Sequence, residues 1–458
     1  MQNTLPPPEQ AVNSNAAQAA AQACAPLPLA VRLVLGLYGL AWRALLPGLK
    51  RNGRLAEGWD ERMLSAGMPP RADLLIHAAS GGEAYLAWEM LRHLPELLSQ
   101  GSAPLRVPLR VLGTTFTSQG LGVLTQARDD LAPGVTLLPA YFPFDLPGRM
   151  RSVLDAVQPR AVVLLETELW PGILAACRET GVPALVLNGR MTDKSLRGYG
   201  TLPWLWRALA PAQVLAVSDE DAKRFGQVFG PERVGRMPNI KFDRLRFDAE
   251  PEASPVQPGF AQLLPAASPF IILGSVRKEE EADVLKLIQG LREARPKAVI
   301  GLFPRHMRRV CVWERSLREA GVPFALRSEN QRAEPGQVLL WDVFGELSQA
   351  FSLACAAFVG GSLADLGGQN FLEPLAHGVT AVTGPSWSNF AWVGHEIFGT
   401  GLVRRVQDWR GVLAELSALA GSTPDPAEVR ARATAYTASR RGGAVAACQA
   451  VAERLKNA

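Results

Sequence analysis

The chain has 458 residues, 48% of them hydrophobic and 20% charged. It is therefore a globular protein, too long for one ordinary core, and two domains of roughly 200 residues are expected. Its 48 basic and 43 acidic residues leave a net charge of +5, a mild excess compatible with acidic ligands or an anionic surface. Five scattered cysteines without a C-x-x-C pair indicate neither a disulfide framework nor a zinc site, and they fit a reducing compartment.

The N-terminal region divides into two parts. Residues 1–26 are rich in Ala, Gln, Asn and Pro and are predicted to be a disordered tail, because they have little to bury. Residues 27–54 are apolar and basic, but their longest uncharged run, Leu33–Trp42, has ten residues, well short of the ~20 that span a bilayer. Arg32 and Arg43 are about three helical turns apart and share one stripe. We favour a helix lying in the membrane interface; the alternative is a helix packed on its own domain.

From residue 72 onward, short apolar runs alternate with helical patterns. The predicted strands are DLLIHA, LRVLGT, VTLLPA, AVVLLE, PALVLN and QVLAVS, then FIILGS, AVIGLF, PFALRS, VLLWD, AAFVGGS and TAVTG. A Pro-, Ala- and Ser-rich linker at 246–268 separates the two sets. Apolar strands alternating with helices predict parallel sheets covered on both faces. The expected class is α/β, with doubly wound, Rossmann-like domains at 55–245 and 269–458 facing across a cleft.

Several familiar signatures are missing or weak. The chain contains neither a G-x-G-x-x-G after a strand nor a G-x-x-x-x-G-K-[ST], so neither a dinucleotide fingerprint nor a P-loop is supported. Asp219 and Asp221 form a D-x-D pattern, which suggests a metal-binding transferase site. Ser218 and Asp221 fit a helix N-cap better. With five unclustered histidines, no metal site is predicted.

One carboxylate stands at a strand-to-helix turn in HAASGGE, His77–Glu83. Ser80 and Glu83 have the S-x-x-E spacing of a capping box, which satisfies free N–H groups at a helix start. Alternatively, Glu83 is catalytic, because such turns at the carboxyl edge of a parallel sheet are where α/β enzymes place their chemistry. On these residues alone both interpretations stay open.

Three more strand ends carry polar residues. Glu166 and Glu168 follow a buried strand in ETELWP, and Arg305 follows another in FPRH, where a basic residue can hold a phosphate or a carboxylate. In FVGGSLADLGGQNFLEP, the paired glycines and the next helix start predict free N–H groups close to a phosphate. Asn370 and Glu373 supply polar groups suited to ribose hydroxyls. The alternative is a glycine-rich turn that serves packing alone.

Together the motifs resemble a known family. HAASGGE, ETELWP, FPRH and FVGGSLADLGGQNFLEP occur in order with GLYGLAWRALLP, GWDERM, TTFTSQG, YFPFDLP, NGRMTDKSLRGY, SDEDAKRF, NIKFD, FGEL and GPSWSNF. Over about residues 37–390 the chain resembles the 3-deoxy-D-manno-octulosonic acid (Kdo) transferases of lipopolysaccharide synthesis. The resemblance implies a GT-B fold and inverting transfer of Kdo from CMP-Kdo to a lipid A precursor. It implies no cofactor, no obligatory metal and no nucleic-acid partner.

The resemblance also implies a location and residue roles. The implied partners are an acidic glycolipid acceptor and an anionic membrane surface. Together they imply a peripheral or monotopic enzyme on the cytoplasmic face of the bacterial inner membrane. Glu83 corresponds to the family's catalytic base, and Glu166 and Lys241 to its transition-state-stabilising positions. The CMP-binding segments correspond to Pro304 and Arg305, to Gly345, Glu346 and Leu347, and to Asn370, Phe371, Leu372 and Glu373.

The chain departs from the family pattern at a few positions. Gly82 stands where a Val is usual, Gln369 where a His is usual, and Phe371 where a Pro is usual. The segment Gly274–Glu280 reads GSVRKEE where relatives have STHEGE. The alternatives are therefore another GT-B transferase with a different nucleotide-sugar donor, or a catalytically inactive relative that binds glycolipid.

Overall fold

The computed structural model describes residues 26–99, 108–245, 247, 261–265 and 268–457. They form two compact units: one comprises the residues through Arg244 together with those from Arg440 onward, and the other comprises Leu245–Ser439. Each unit contains a seven-stranded parallel sheet with helices between the strands, which confirms the predicted doubly wound α/β class. The predicted tail lies outside the described residues except for Pro26, and so does most of the predicted linker.

The sheet of the first unit contains all six predicted strands and one more. Its strands are β1 Leu74–His77, β2 Leu109–Thr115, β3 Val135–Tyr141, β4 Ala161–Leu165, β5 Ala184–Gly189, β6 Gln213–Ala216 and β7 Val234–Arg236. Their spatial order is β3-β2-β1-β4-β5-β6-β7. Strand β7 was missed because it is a three-residue edge strand, Val-Gly-Arg, that is not fully buried. The order reverses between β1 and β4, which pair in parallel.

The second sheet is also parallel and seven-stranded, with a different strand order. Its strands are β8 Phe270–Val276, β9 Val299–Pro304, β10 Phe324–Leu326, β11 Val338–Leu340, β12 Ala356–Val359, β13 Ala381–Thr383 and β14 Val403–Arg405. Their spatial order is β10-β11-β9-β8-β12-β13-β14, so the order reverses between β8 and β12. Strand β14 was missed because its sequence, Val-Arg-Arg, carries little apolar signal.

Helices cover both faces of each sheet. Those numbered α1 to α10 are Leu29–Leu49, Gly53–Ala56, Trp59–Met63, Gly81–Ser99, Ser118–Asp130, Pro147–Val157, Pro171–Thr180, Asp193–Tyr199, Pro203–Ala208 and Asp219–Phe229. Those numbered α11 to α18 are Glu281–Ala294, Val310–Glu319, Leu347–Phe351, Leu372–Ala376, Glu396–Gly399, Trp409–Gly421, Pro426–Ala438 and Gly443–Asn457.

The last helix corrects one predicted boundary. Residues 269–458 were expected to form the second domain, but α18 belongs to the first unit. Its Cys448 and Val451 are buried in the same hydrophobic cluster as Met90 of α4. Asp243 accepts hydrogen bonds from the backbone N–H groups of Gly442 at 2.6 Å and Ala444 at 2.7 Å. The helical pattern predicted the helix, but it carries no information about which sheet the helix packs on.

The N-terminal helix α1 has two different faces. Val31, Leu35 and Leu46 are buried, whereas Leu33 and Leu37 are 62% and 66% exposed. One face therefore packs on the domain, as the alternative expected, and the other presents leucines outward; the interpretation as a helix in the membrane interface stays a prediction. By length and composition alone, the helix is long and apolar enough to cross a membrane, since its two arginines interrupt the apolar run without ending the helix.

Candidate functional site

The carboxylates singled out in the first unit lie at the point where its strand order reverses. Glu83 is in the first turn of α4, which follows β1, and Glu166 directly follows β4. Because β1 and β4 are neighbours, these residues sit at the carboxyl ends of adjacent parallel strands. In open α/β sheets this is the position of ligand-binding crevices.

Glu83 forms the predicted capping box. Its Oε2 accepts hydrogen bonds from the backbone N–H groups of Ala79 at 2.5 Å and Ser80 at 3.3 Å, and Ser80 Oγ accepts from the Glu83 N–H at 3.5 Å. Burial, helped by the nearby carboxylates of Glu168 and Glu166, raises the pKa of Glu83 to about 7. A cap needs only an acceptor oxygen, but a pKa near neutrality is what a general base requires.

Glu166 and Lys241 form an ion pair in the same unit. Lys241 Nζ lies 2.6 Å from Glu166 Oε1. Glu166 has a φ of 57°, a left-handed conformation that costs energy for a residue other than glycine and is concentrated at functional sites. This backbone conformation turns the chain sharply where β4 ends.

Lys241 is held by two asparagines that the sequence reasoning missed. It lies in a short 3₁₀ turn, Ile240–Phe242. Asn188 Oδ1 accepts from the Ile240 N–H at 2.9 Å, and Asn239 Oδ1 accepts from the Lys241 N–H at 3.0 Å. Asn188 is buried and has a φ of 56°. The available indication in the sequence was the Asn-Gly pair that ends the otherwise apolar strand β5.

A third carboxylate belongs to this group. Glu168 Oε2 accepts from Trp170 Nε1 at 2.7 Å and lies 3.9 Å from Nε2 of the buried His77. Burial lowers the pKa of His77 to about 3, so this imidazole is neutral at physiological pH. Burial, together with Glu166, raises the pKa of Glu168. Three acids therefore share one partly buried region with one lysine.

Other motif residues have structural roles. The buried Asp145, from YFPFDLP, accepts from the N–H groups of Gly172 at 2.6 Å and Ile173 at 2.7 Å at the start of α7. It also accepts from Tyr38 Oη of α1 at 3.0 Å. Asp145 thus ties the helix after ETELWP to the N-terminal helix. The predicted N-cap at Ser218 is confirmed, because its Oγ accepts from the Asp221 N–H at 3.0 Å.

The second unit contains a pocket of about 330 Å³ at the carboxyl edge of its sheet. It is lined by Gly274, Ser275, Phe303, Pro304, Arg305, Met307, Trp341, Val343, Phe344, Gly345, Glu346, Leu347, Ser348, Phe351, Val359, Gln369, Asn370 and Glu373. Seven of the nine residues predicted to bind the nucleotide are among them. Phe371 and Leu372 do not line the pocket, because both side chains are buried in the core.

The lining side chains differ in what they offer a ligand. Glu346 is buried, and its carboxylate accepts from Arg327 Nε at 3.0 Å and from Trp341 Nε1 at 2.8 Å. Its side chain therefore holds the pocket wall. Arg305 and Asn370 are exposed at the pocket, and burial raises the pKa of Glu373.

The glycine-rich turn is organised by a residue that was not singled out. The buried carboxylate of Glu280 accepts from the N–H groups of Gly361 at 2.5 Å, Ser362 at 2.8 Å and Leu363 at 2.8 Å. It also accepts from the Arg277 N–H at 3.1 Å. The expectation that this turn offers free N–H groups to a phosphate is therefore wrong for these three amides. The available indication in the sequence was that Glu280 ends the segment Gly274–Glu280 with the same Glu as in STHEGE of the relatives, although the residues before it differ.

Comparison with known proteins decides the family. A sequence model of 3-deoxy-D-manno-octulosonic-acid transferase (kdotransferase) matches residues 57–244. The 3-deoxy-D-manno-octulosonic acid transferase of Bordetella pertussis is 34% identical over 437 residues, 89% of this chain and 96% of that protein. The chain belongs to the 3-deoxy-D-manno-octulosonic acid transferase family. The enzyme of the same name from Haemophilus influenzae is 30% identical over 333 residues, 71% of this chain and 74% of its own length.

Solved structures agree on the fold. A glycosyltransferase from Rickettsia africae, 10% identical, has a TM-score of 0.55 and covers 85% of this chain and 100% of its own. This likeness concerns the fold alone, which is the GT-B fold expected from the motifs. Because the chain belongs to the Kdo transferase family, it is a glycosyltransferase. Among the described residues, no group of three or more His, Cys, Asp and Glu side chains could hold a metal ion.

Proposed function

We propose that the enzyme transfers Kdo from CMP-Kdo to a hydroxyl group of a lipid A precursor of the lipid IVA type. Family membership supports the donor and the reaction. The observation that carries the mechanism is Glu83, a carboxylate at the switch point of the first sheet whose pKa is raised to about 7. Near neutral pH such a group is substantially ionised and still basic enough to accept a proton.

The chemistry assigned to these residues is a single displacement with inversion. Glu83 removes the proton of the acceptor hydroxyl, and the oxygen forms a bond to the anomeric carbon of Kdo. The bond between that carbon and the CMP phosphate breaks, and its electron pair leaves with the phosphate oxygen. Lys241, fixed 2.6 Å from Glu166, supplies a positive charge in a partly buried region, where charge stabilisation is strongest.

CMP binding is assigned to the pocket of the second unit. A volume of about 330 Å³ lies at the lower end of the range of ligand pockets, roughly 300–1,000 Å³. Arg305 supplies the cation for the phosphate, and Asn370 and Glu373 supply groups for the ribose hydroxyls. The side chains of Phe371 and Leu372 support the pocket from the core.

The N-terminal helix is assigned to the membrane. Its outward leucines and its arginines, Arg32 and Arg43, combine apolar area with charge that attracts anionic lipids. We place the enzyme on the cytoplasmic face of the bacterial inner membrane, where a lipid-linked acceptor is reached without leaving the bilayer.

Mass analysis of the acceptor after incubation with CMP-Kdo tests the function. We expect the lipid A precursor to gain the mass of one or more Kdo residues. Thermal shifts with CMP, UMP and GMP test the donor separately, and only CMP should stabilise the protein strongly. A larger shift with UMP or GMP, together with an unchanged acceptor, would overturn the assignment and favour a different nucleotide sugar.

A further inference from the structure

A second pocket lies beside the nucleotide pocket on the same unit. It has a volume of about 190 Å³ and is lined by Arg277, Lys278, Glu279, His306, Arg308 and Arg309. Lys278 and Arg277 belong to the segment that departs from the family pattern. The volume is below the roughly 300 Å³ at which sites for larger ligands begin, so the pocket fits a group of phosphate size.

The positive charge of this pocket is only partly neutralised. The Arg309 guanidinium is paired with the Glu281 carboxylate through both nitrogens that face it, and Arg277 lies 3.9 Å from Glu279. Within the part of the chain that the structure describes, Lys278 and Arg308 have no carboxylate within ion-pair distance. Two cations therefore line the pocket without a carboxylate paired to them, and Glu279, the one acidic residue of the lining, is paired with Arg277.

The walls of the pocket are fixed in place. The Arg305 N–H donates to Val276 O at 2.8 Å, which joins the last residue of β8 to the first residue after β9. The buried Glu280 accepts from the Arg277 N–H at 3.1 Å and anchors the loop after β8. A preorganised pair of loops presents its cations without a large ordering cost.

We propose that this pocket is a binding site for a phosphate monoester or another phosphate group of similar charge, separate from the nucleotide pocket. Arginine and lysine together suit phosphate, because the guanidinium offers paired donors and the ammonium a compact charge. The pKa of His306 is consistent with a positively charged pocket. Desolvation and the positive charges of Arg277, Arg308 and Arg305 lower this pKa, and the negative charge of Glu279 acts in the opposite direction. This proposal does not depend on which sugar the enzyme transfers.

The test compares the double variant Lys278→Gln/Arg308→Gln with wild type, each saturated with CMP. The probes are inorganic phosphate and a soluble short-chain phosphatidic acid below its micelle concentration, titrated by calorimetry. We expect affinity for at least one probe to fall at least about tenfold, as for loss of charged hydrogen bonds, while CMP affinity stays within twofold. Lys297→Gln, an exposed lysine of the same unit, should leave phosphate affinity unchanged.

The two probes distinguish the source of the phosphate. Loss confined to phosphatidic acid assigns the pocket to a lipid headgroup, and equal loss of both assigns it to phosphate in general. A nuclear magnetic resonance titration of His306 gives an independent readout, since a bound dianion should raise the pKa of this imidazole. Three results would overturn the proposal: unchanged affinity for both probes in the double variant, no binding of either probe to the wild-type protein, or phosphate binding that is measured without CMP and lost at CMP saturation.

Discussion

Replacing Glu83 by Gln separates capping from catalysis and should change stability and turnover in opposite directions. The pKa of Glu83 is raised from 4.5 to about 7 by burial and by Glu168 and Glu166. At about 1.4 kcal/mol per tenfold change in proton affinity, ionising this carboxyl costs about 3–4 kcal/mol more in the folded protein than in the unfolded chain. A Gln amide oxygen still accepts the N–H of Ala79 but carries no charge.

The sign of the pH dependence follows from this rise. Above pH 7 the wild-type protein bears the full cost of an ionised Glu83, and below pH 4.5 the carboxyl is neutral in both states. Glu83→Gln should therefore be more stable than wild type by up to about 3 kcal/mol at pH 8, and the difference should vanish near pH 4. Turnover should fall by roughly 10²–10⁴, the usual contribution of a positioned base.

Denaturant unfolding at pH 4 and pH 8, together with initial rates at pH 8, checks both expectations. Ser80→Ala is the matched control, because it weakens the same cap and keeps the carboxylate. It should lose some stability and retain most of its turnover. Near-normal transfer by Glu83→Gln would refute the catalytic role, and a variant less stable than wild type at pH 8 would refute the raised pKa.

Four further outcomes are expected. Arg305→Ala should weaken CMP binding by about 10- to 100-fold, because it removes a charged hydrogen bond, and calorimetry measures the loss. Glu280→Gln should lower the free energy of unfolding by about 1–3 kcal/mol and weaken CMP binding, because the amide NH₂ group would face the buried N–H groups. The control Glu279→Gln, at the exposed neighbouring position, should leave both stability and CMP affinity unchanged. Glu168→Gln should lower the pKa of Glu83 and move the acid limb of the pH–rate profile to lower pH, whereas an unmoved limb would separate the two carboxylates. Binding to anionic vesicles should weaken as salt rises from ~0.05 to ~0.5 M, since exposed charges are screened; salt-independent attachment that resists alkaline washing would indicate a spanning α1.

Most of the fold follows from local patterns in the sequence. All six predicted strands of each sheet are present, because continuous apolar runs such as Ala161–Leu165 can be buried only in a sheet covered on both faces. The two missed strands are short edge strands with polar or small residues. The position of α18 could not be predicted, since its contacts with Met90 and Asp243 join residues far apart in the chain.

The sequence predicted that the singled-out residues lie at the carboxyl edges of the sheets, but it did not predict their electrostatics. Burial, together with the carboxylates of Glu168 and Glu166, raises the pKa of Glu83. That effect depends on two strands meeting, which spacing in the sequence does not reveal. The role of Glu280 was hidden for the same reason, because the amides it binds lie more than 80 residues away.

The pH dependence of kcat/KM for Kdo transfer tests the central role of Glu83 most directly. For the wild-type enzyme, kcat/KM should rise tenfold per pH unit on the acid side and level off with an apparent pKa near 7, as Glu83 loses its proton. Glu83→Gln should lose that limb together with most of its activity. A wild-type profile that is flat between pH 5 and 8, or a limb that persists in the variant, would contradict the assignment of Glu83 as the base.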